Sequence, residues 1–116
     1  MIKVIWFLKR ADHLTLEMFH KWWIETHAPM IVEAQRSFLQ KYVINLRWPD
    51  DLLPGKPAGE VDWDGYAEQW FATEADFNAV HGSPTPSVTR ADTLKHTSRM
   101  ARMIVREHTI QNEVKS

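Results

Sequence analysis

The chain has 116 residues, of which 44% are hydrophobic and 11% aromatic, which is enough for one sizeable core and too little for two ordinary domains. We therefore predict a single domain over residues 1–116. Fourteen basic and fifteen acidic side chains leave a net charge of −1, which argues against nucleic acid or an anionic membrane as the partner. The chain has no cysteine, which excludes a disulfide framework, a thiol nucleophile and a thiolate metal site.

Two sequence features bear on where the protein works. No apolar run approaches the roughly 18 residues of a membrane span, and Met1 is followed directly by a strand pattern rather than by a signal peptide. A chain without cysteine also fits a reducing compartment. We therefore expect a soluble, cytoplasmic protein with no membrane partner.

The segment Ile2–Lys9 is rich in β-branched and aromatic residues and predicts the first strand. Both of its faces carry apolar side chains. A sheet with one face in water would alternate apolar and polar residues more cleanly. We therefore expect both faces of this strand to be covered in the folded protein.

An amphipathic helix is predicted next, with Thr15 as its N-cap. At about 100° per residue, one apolar stripe is formed by Leu16, Phe19, Trp23, Thr26 and Met30. His27 lies within this stripe, so it is predicted to be a buried imidazole that needs a hydrogen-bond partner. Because Pro29 has no N–H and clashes with the preceding turn, the helix is expected to kink or restart near His27.

The remaining elements follow in the order strand, strand, helix, strand. Their predicted ranges are 38–48, 66–72, 74–80 and 99–110, with a helical tail over 31–37 and a partly helical stretch over 83–97. The proline-rich and glycine-rich residues 49–64 predict a loop. At this length the loop is either a passive connection or a lid or interface arm.

This order of elements, βαββαβ, predicts a ferredoxin-like α+β fold in which one layer of helices covers a four-stranded antiparallel sheet. Large exposed apolar patches are uncommon on soluble monomers. The sheet face without helices is therefore expected to meet a second copy, giving a homodimer of the dimeric α+β barrel type. Pockets between the layers would admit a small hydrophobic or aromatic substrate.

Four segments of the chain resemble the EthD family of dimeric α+β barrel proteins. They are FHKWWIETHAP at 19–29, KYVINL at 41–46, DGYAEQWF at 64–71 and REHTI at 106–110. The resemblance implies a small-molecule enzyme, since the family includes proteins linked to ether degradation and fungal polyketide dehydratases and is similar to cofactor-free methylmuconolactone isomerases. In those isomerases a cysteine precedes the matching histidine by four positions. Because this chain has Trp23 there, their chemistry does not transfer whole.

The resemblance also implies three catalytic candidates. His27 matches the family's active-site histidine and Tyr42 matches a tyrosine near it, while Glu68 lies in the third-strand motif, where it orients His27 or serves as a structural acceptor. The alternatives are a structural histidine with satisfied hydrogen bonds and a core tyrosine with its hydroxyl at the surface. The candidate substrate contacts are Trp6, Trp23, Asn45, Trp70 and, at the rim, His20.

No metal and no cofactor are expected. His81, His96 and His108 show no i, i+4 histidine pair of the kind that binds zinc on a helix, and the chain has no glycine-rich phosphate loop. The arginines of the last strand are interpreted as a charged strand flank, with binding of an anionic substrate group as the lesser alternative. They are Arg99, Arg102 and Arg106.

The expected function is cofactor-independent acid and base chemistry by His27 on a small cyclic or aromatic molecule, as in dehydration, isomerisation or lactone chemistry. Two alternatives stay open from the sequence. One is a cofactor-free monooxygenase that acts on a phenolic substrate. The other is a non-catalytic protein that binds a small ligand in the same cleft.

Overall fold

A computed structural model of the chain describes residues 1–50, 61–82 and 87–115. Its strands are β1 (Ile2–Arg10), β2 (Leu39–Leu46), β3 (Gly65–Phe71) and β4 (Thr97–Val105). Its helices are α1 (Leu16–Trp22), a π-helical turn (Trp23–His27), α2 (Ala28–Gln35), α3 (Glu74–His81) and α4 (Val88–His96). The predicted order of elements is confirmed, and α4 accounts for the partly helical stretch. The last strand is shorter than predicted, since it ends at Val105 rather than Ile110.

The four strands form one sheet in the order β2-β3-β1-β4, and every neighbouring pair is antiparallel. Val4 and Leu8 of the central strand β1 pack into clusters with helical side chains. We call this side of the sheet the helical face. The alternate residues, such as Lys3 and Phe7, lie on the opposite side, which we call the open face. The arrangement is the α+β, ferredoxin-like fold that the sequence predicts.

Two apolar clusters cover the helical face. One contains Leu8, Phe19, Trp22, Trp23 and Ala67, and the other contains Val4, Phe71 and Phe77. Each buried side chain of this size contributes roughly 1.5–3 kcal/mol through the hydrophobic effect. Trp6 packs against both clusters and so lies where they meet.

The helix ends follow the predicted capping residues. The Thr15 hydroxyl accepts the backbone N–H of Met18 at 3.1 Å, and the Thr73 hydroxyl accepts that of Asp76 at 3.1 Å. Gly82 follows the last residue of α3. None of the helices in the described ranges is long and apolar enough to cross a membrane.

The helix around His27 contains a π-helical turn. The backbone N–H of Ala28 donates to the carbonyl of Trp23, five residues earlier. The interruption expected near Pro29 is therefore present, although the chain stays helical through it. The extra residue shifts the buried stripe by one position, so Ile31 is buried and Thr26 is exposed. The predicted burial of His27 is confirmed, whereas the placement of Thr26 in the stripe is wrong because the prediction assumes 100° per residue throughout.

The first residue of β3 must be small because Trp23 packs directly on it. A Cβ atom at Gly65 would lie 2.7 Å from Cζ3 of Trp23 and 2.6 Å from the carbonyl oxygen of Asn45. Such distances exclude any larger side chain unless the indole or the strand moves. Gly65 therefore lets the π-helical turn approach the sheet.

The predicted loop over 49–64 is described only at its ends, and its possible role as a lid lies outside the described residues. At its C-terminal end, Asp64 is 2% exposed. Its carboxylate accepts the backbone N–H of Arg10 at 2.7 Å and the guanidinium of the same residue at 2.6 Å. These bonds attach the end of the loop to β1.

Candidate active site

His27 is the last residue of the π-helical turn and is 4% exposed. Its Nδ1 lies 2.9 Å from Oδ2 of Asp92, and its Nε2 lies 3.2 Å from Oγ1 of Thr93. Both partners belong to α4. This helix therefore supplies the hydrogen bonds that a buried imidazole requires.

The contacts of His27 accommodate both of its protonation states. An ionised carboxylate only accepts hydrogen bonds, so Nδ1 carries a hydrogen and donates it to Asp92. The Thr93 hydroxyl also lies 2.9 Å from the carbonyl of Thr89. In a neutral His27, this hydroxyl donates to Nε2. When Nε2 is protonated, Oγ1 accepts from it and donates to Thr89 instead, so only a hydroxyl hydrogen has to rotate.

Burial and charge act on His27 in opposite directions. Burial lowers its pKa below the ordinary value of 6.5, while the hydrogen bond and the negative charge of Asp92 raise it and the nearby His96 lowers it. Burial has the larger effect. The ring is therefore neutral at pH 7 and able to take up a proton.

Asp92 is held by further contacts. The indole N–H of Trp22 lies 3.2 and 3.3 Å from its two carboxylate oxygens. The Trp22 ring stacks on both neighbouring imidazoles, with centroid distances of 4.8 Å to His27 and 4.2 Å to His96. His96 in turn donates from Nδ1 to the backbone carbonyl of Asp92 at 2.7 Å. The carboxylate thus has a fixed orientation toward His27.

A cavity of about 130 Å³ lies beside His27 and Thr93 on the helical face. This is close to the roughly 150 Å³ that suits one benzene-sized ring. Its walls combine apolar side chains with polar ones. The apolar lining residues are Trp6, Leu8, Trp23, Ile31, Ala67, Val80 and Met100.

A chain of neutral polar groups lines the cavity away from His27. The Trp6 indole, which can only donate, lies 3.1 Å from Oε1 of Gln69 and so fixes the orientation of that amide. Nε2 of Gln69 then donates to Oε1 of Gln35 at 3.1 Å. His81 Nε2 lies 3.2 Å from the same Oε1 of Gln69 and therefore carries a hydrogen. In the neutral ring, Nδ1 of His81 is left as an acceptor.

His81 stays neutral over most of the pH range. Burial, together with the positive charges of Arg102 and Arg90, lowers its pKa to about 4. Arg90 lines the cavity, and the guanidinium of Arg102 lies over the ring of Trp6 at 5.6 Å from its centroid. This end of the cavity therefore combines a neutral imidazole with two cations.

Tyr42 also lines the cavity. Burial raises the pKa of its phenol to about 12, with the Trp23 side chain acting in the opposite direction. The hydroxyl is therefore protonated at neutral pH and available as a hydrogen-bond donor.

The structure brings four of the residues predicted from sequence together and separates the others. The four that line the cavity are Trp6, Trp23, His27 and Tyr42. Glu68, Asn45 and Trp70 lie on the open face, because Ala67 and Gln69 of β3 take the helical face.

The predicted orientation of His27 by Glu68 is therefore wrong, since the sheet lies between the two side chains. The Glu68 carboxylate instead lies 2.8 Å from Nζ of Lys3 and 3.1 Å from Nδ2 of Asn45. The same lysine lies over the ring of Trp70 at 4.5 Å. This group of side chains forms a polar contact on the open face.

His20 was expected at the rim of the site. Its Nε2 lies 2.8 Å from the backbone carbonyl of Asp64, to which it donates. It is not among the residues that line the cavity. The structure therefore gives His20 a contact that fixes the end of the loop before β3.

Sequence reasoning missed the partners of both cavity histidines. They are Asp92, Thr93, Gln35, Gln69 and Arg90. Asp92 and His96 are four residues apart in the segment ADTLKH, a spacing that places them on one side of a helix. That spacing was the signal in the sequence from which Asp92 could have been found. In the described ranges, no three His, Asp or Glu side chains are grouped so that they could hold a metal ion.

Comparisons with known proteins agree on the family and the fold. Similar solved structures include an EthD family protein from Bacillus halodurans, with 18% identity, a TM-score of 0.64 and coverage of 93% of this chain and 99% of that one. An EthD-like protein from Ralstonia eutropha has 15% identity, a TM-score of 0.66 and coverage of 95% and 94%.

A further solved structure is a dimeric ferredoxin-like protein of unknown function from Thermobifida fusca, with 14% identity, a TM-score of 0.53 and coverage of 90% and 88%. No curated protein matches this chain. The model of the EthD domain matches residues 11–109, which is most of the chain. The chain therefore belongs to the EthD family.

Proposed function

We propose that this protein is a cofactor-independent enzyme that moves a proton on a small ring compound, with His27 as the acid and base. The observation that carries the proposal is the hydrogen-bonded series Asp92–His27–Thr93 beside a cavity of about 130 Å³. Dehydration, isomerisation and lactone chemistry all require such a transfer.

Each member of the site has a role in this reaction. His27 takes the proton of the substrate at Nε2, and the charge of Asp92 stabilises the imidazolium that forms. Before this transfer the Thr93 hydroxyl turns its hydrogen from Nε2 to the carbonyl of Thr89, which frees the Nε2 lone pair, and Oγ1 then accepts from the new N–H. Tyr42, which keeps its proton, donates to the oxygen on which negative charge develops.

A second candidate function is the binding of a small ligand without chemistry. The observation that favours it is that both ring nitrogens of His27 already have hydrogen-bond partners, as a structural histidine would. The cavity would then hold a carried molecule rather than a substrate. The same substitution at His27 separates the two candidates.

The test is His27→Gln, assayed against a panel of cyclic and aromatic compounds. Glutamine keeps hydrogen-bonding ability but takes up no proton, so kcat/KM is expected to fall by about 10²- to 10⁴-fold. In the wild type, kcat/KM should rise with pH through the His27 pKa, below 6.5, and then level off. The variant should lack this acidic limb.

His13→Gln is the matched control, since His13 is exposed in the turn before α1. Near-full activity of His27→Gln with an unchanged pH profile would contradict the proposal. Ligand binding with no turnover by the folded wild type would favour the binding protein. Oxygen uptake during turnover would identify the monooxygenase that the sequence left open.

We further propose that the protein is a homodimer joined through the open face. Phe7 forms an aromatic group there, with ring centroids 5.7 Å from Trp63 and 5.8 Å from Tyr66. Met103 on the same face is 49% exposed. Solved structures of the same fold from Thermobifida fusca and Bacteroides fragilis are described as dimeric. A second copy would cover these apolar side chains.

Sedimentation velocity at micromolar concentration tests the dimer. A species near 13.6 kDa, the mass of one chain, would contradict it. Met103→Glu should shift the dimer toward monomer, because it places a charge in the apolar contact. Leu94→Glu is the control, since Leu94 is 62% exposed on α4 and away from the open face.

A further inference from the structure

Among the described residues, the positive charge at the cavity has no matching carboxylate in the lining. Arg90 lines the cavity, and Arg102 stacks on Trp6, which is part of the wall. No Asp or Glu is among the described residues that line it. The arginines that form ion pairs within the described ranges are others: Arg10, Arg36, Arg47 and Arg99.

The groups between these two cations do not neutralise them. Gln35 and Gln69 are uncharged and hydrogen-bonded to each other, and His81 donates to Gln69 as a neutral ring. Both guanidiniums act on this one imidazole, which places them at the same end of the cavity. A positive potential beside apolar walls attracts anions more strongly than the same charge in open water.

The carboxylate that the described part of the chain places beside His27 is already engaged. Asp92 is bonded to His27 at 2.9 Å and to the Trp22 indole at 3.2 Å, on the far side of the imidazole. Its negative charge therefore balances the positive charge of His27 when that ring is protonated. The cations at the His81 end remain available to a charge on the ligand.

We propose that the cavity takes a single-ring carboxylate, whose ring fills the apolar part beside His27 and whose carboxylate is bound by Arg90 and Arg102. Arginine suits this task because its planar guanidinium pairs with both carboxylate oxygens. The cavity volume of about 130 Å³ limits the body of the ligand to about one ring. This inference rests on the proposed function, for which it names the class of substrate.

Isothermal titration calorimetry at pH 7 and low salt, with benzoate and its neutral analogue benzamide, tests the proposal. Benzoate should bind the wild type about tenfold more tightly than benzamide or better, and added salt should weaken benzoate binding. Arg90→Gln and Arg102→Gln should each weaken benzoate by about tenfold or more and leave benzamide nearly unchanged. Both arginines are exposed, so the fold should be retained.

Arg99→Gln is the matched control. Arg99 lies on the same strand as Arg102 but on the open face, with its guanidinium 4.9 Å from the ring of Trp63. It should leave benzoate binding unchanged. Equal affinity for benzoate and benzamide, no heat of binding for benzoate at millimolar concentration, or an equal loss in Arg99→Gln would each overturn the proposal.

These experiments test the binding of a ring carboxylate separately from the proposed enzymatic activity. Calorimetry reports whether a ring carboxylate binds, whatever happens to it afterwards. Carboxylate binding that depends on the arginines, with no turnover, would refute the enzyme and leave this inference standing. His27-dependent turnover of uncharged rings, with no preference for benzoate, would refute this inference and leave the enzyme.

Discussion

The two histidines of the cavity are both buried, yet their neighbours carry opposite charge. His27 bonds to the carboxylate of Asp92, whereas His81 lies near the guanidiniums of Arg90 and Arg102. Burial lowers both pKa values, so burial alone does not distinguish their roles. The neighbouring charge does distinguish them. Asp92 stabilises a protonated ring at His27, whereas Arg90 and Arg102 destabilise a protonated ring at His81. One cavity thus contains a ring that can hold a proton and a ring that stays neutral.

Among changes to the neighbours of the two histidines, the largest effect is expected from Asp92→Asn, which removes the charge that makes His27 different from His81. The pKa of His27 should fall further, because the group that raises it is lost. A hydrogen bond to a charged group contributes about 1.5–3 kcal/mol, so kcat/KM should fall roughly 10- to 100-fold. Titration of the His27 ring by NMR and an activity assay measure the two effects.

Asp76→Asn is the control for Asp92→Asn, since Asp76 lies in the first turn of α3 and is not among the groups that act on the pKa of His27. It should change neither the His27 titration nor the rate. If Asp92→Asn left the His27 pKa where it was, the carboxylate would not be what distinguishes the two rings.

The second prediction concerns stability below neutral pH. The folded pKa of His81 is about 4, whereas an unfolded histidine titrates near 6.5. Between these values the unfolded state binds more protons, so the free energy of unfolding should decrease as pH falls through this window. The loss attributable to His81 is on the order of 1–3 kcal/mol. Urea unfolding at a series of pH values measures it.

His81→Gln isolates the contribution of this ring, since His27 acts in the same direction. The glutamine amide can still donate to Gln69 but does not titrate. The variant should therefore lose less stability between pH 6.5 and pH 4 than the wild type. Identical slopes for the two proteins would mean that His81 protonates as readily in the folded chain as in the unfolded one.

A smaller effect is expected from Thr93→Val, which removes the hydroxyl but keeps the branched shape. His27 Nε2 then loses its partner, at a cost of about 1 kcal/mol in stability, and kcat/KM should fall about threefold to tenfold. Thr93→Ser should restore both, because serine supplies the same hydroxyl. Failure of serine to restore the rate would assign Thr93 to packing only.

The smallest effect on activity is expected from Glu68→Gln. Glu68 lies across the sheet from His27, so kcat/KM should stay within about twofold of the wild type. The free energy of unfolding should drop by about 1 kcal/mol, since Lys3 loses a charged partner. A large loss of activity would show that Glu68 takes part in the reaction despite its position on the open face.

The sheet faces show what the sequence of a strand can and cannot predict. Apolar and aromatic residues predict a strand over residues 66–72, and the structure has one over Gly65–Phe71. They do not predict which side meets the helices, because Tyr66 and Trp70 are as hydrophobic as their neighbours. A choice that is wrong by one residue moves every side chain to the other face. The resemblance to the family motif suggested Glu68 as the partner of His27, whereas in the structure Gln69 lies in the cavity wall.

The partners of His27 could not be predicted from the local sequence for a different reason. Asp92 is 65 positions away, on a helix with little apolar periodicity, and only tertiary packing brings it to the imidazole. The requirement for a partner was predictable from burial of His27. The identity of that partner was not, since the glutamate of the third-strand motif fitted the same requirement.

The direction in which His27 points depends on the number of residues in the π-helical turn. It contains one residue more than an ordinary helix needs over the same span. Deleting Ile24, which is 45% exposed, would rotate the helix after the deletion by about 100° relative to α1. A different side chain would then be opposite Asp92, although every residue type around it was retained. Among homologues, a one-residue gap between the tryptophan pair and His-Ala-Pro should therefore coincide with replacement of the aspartate.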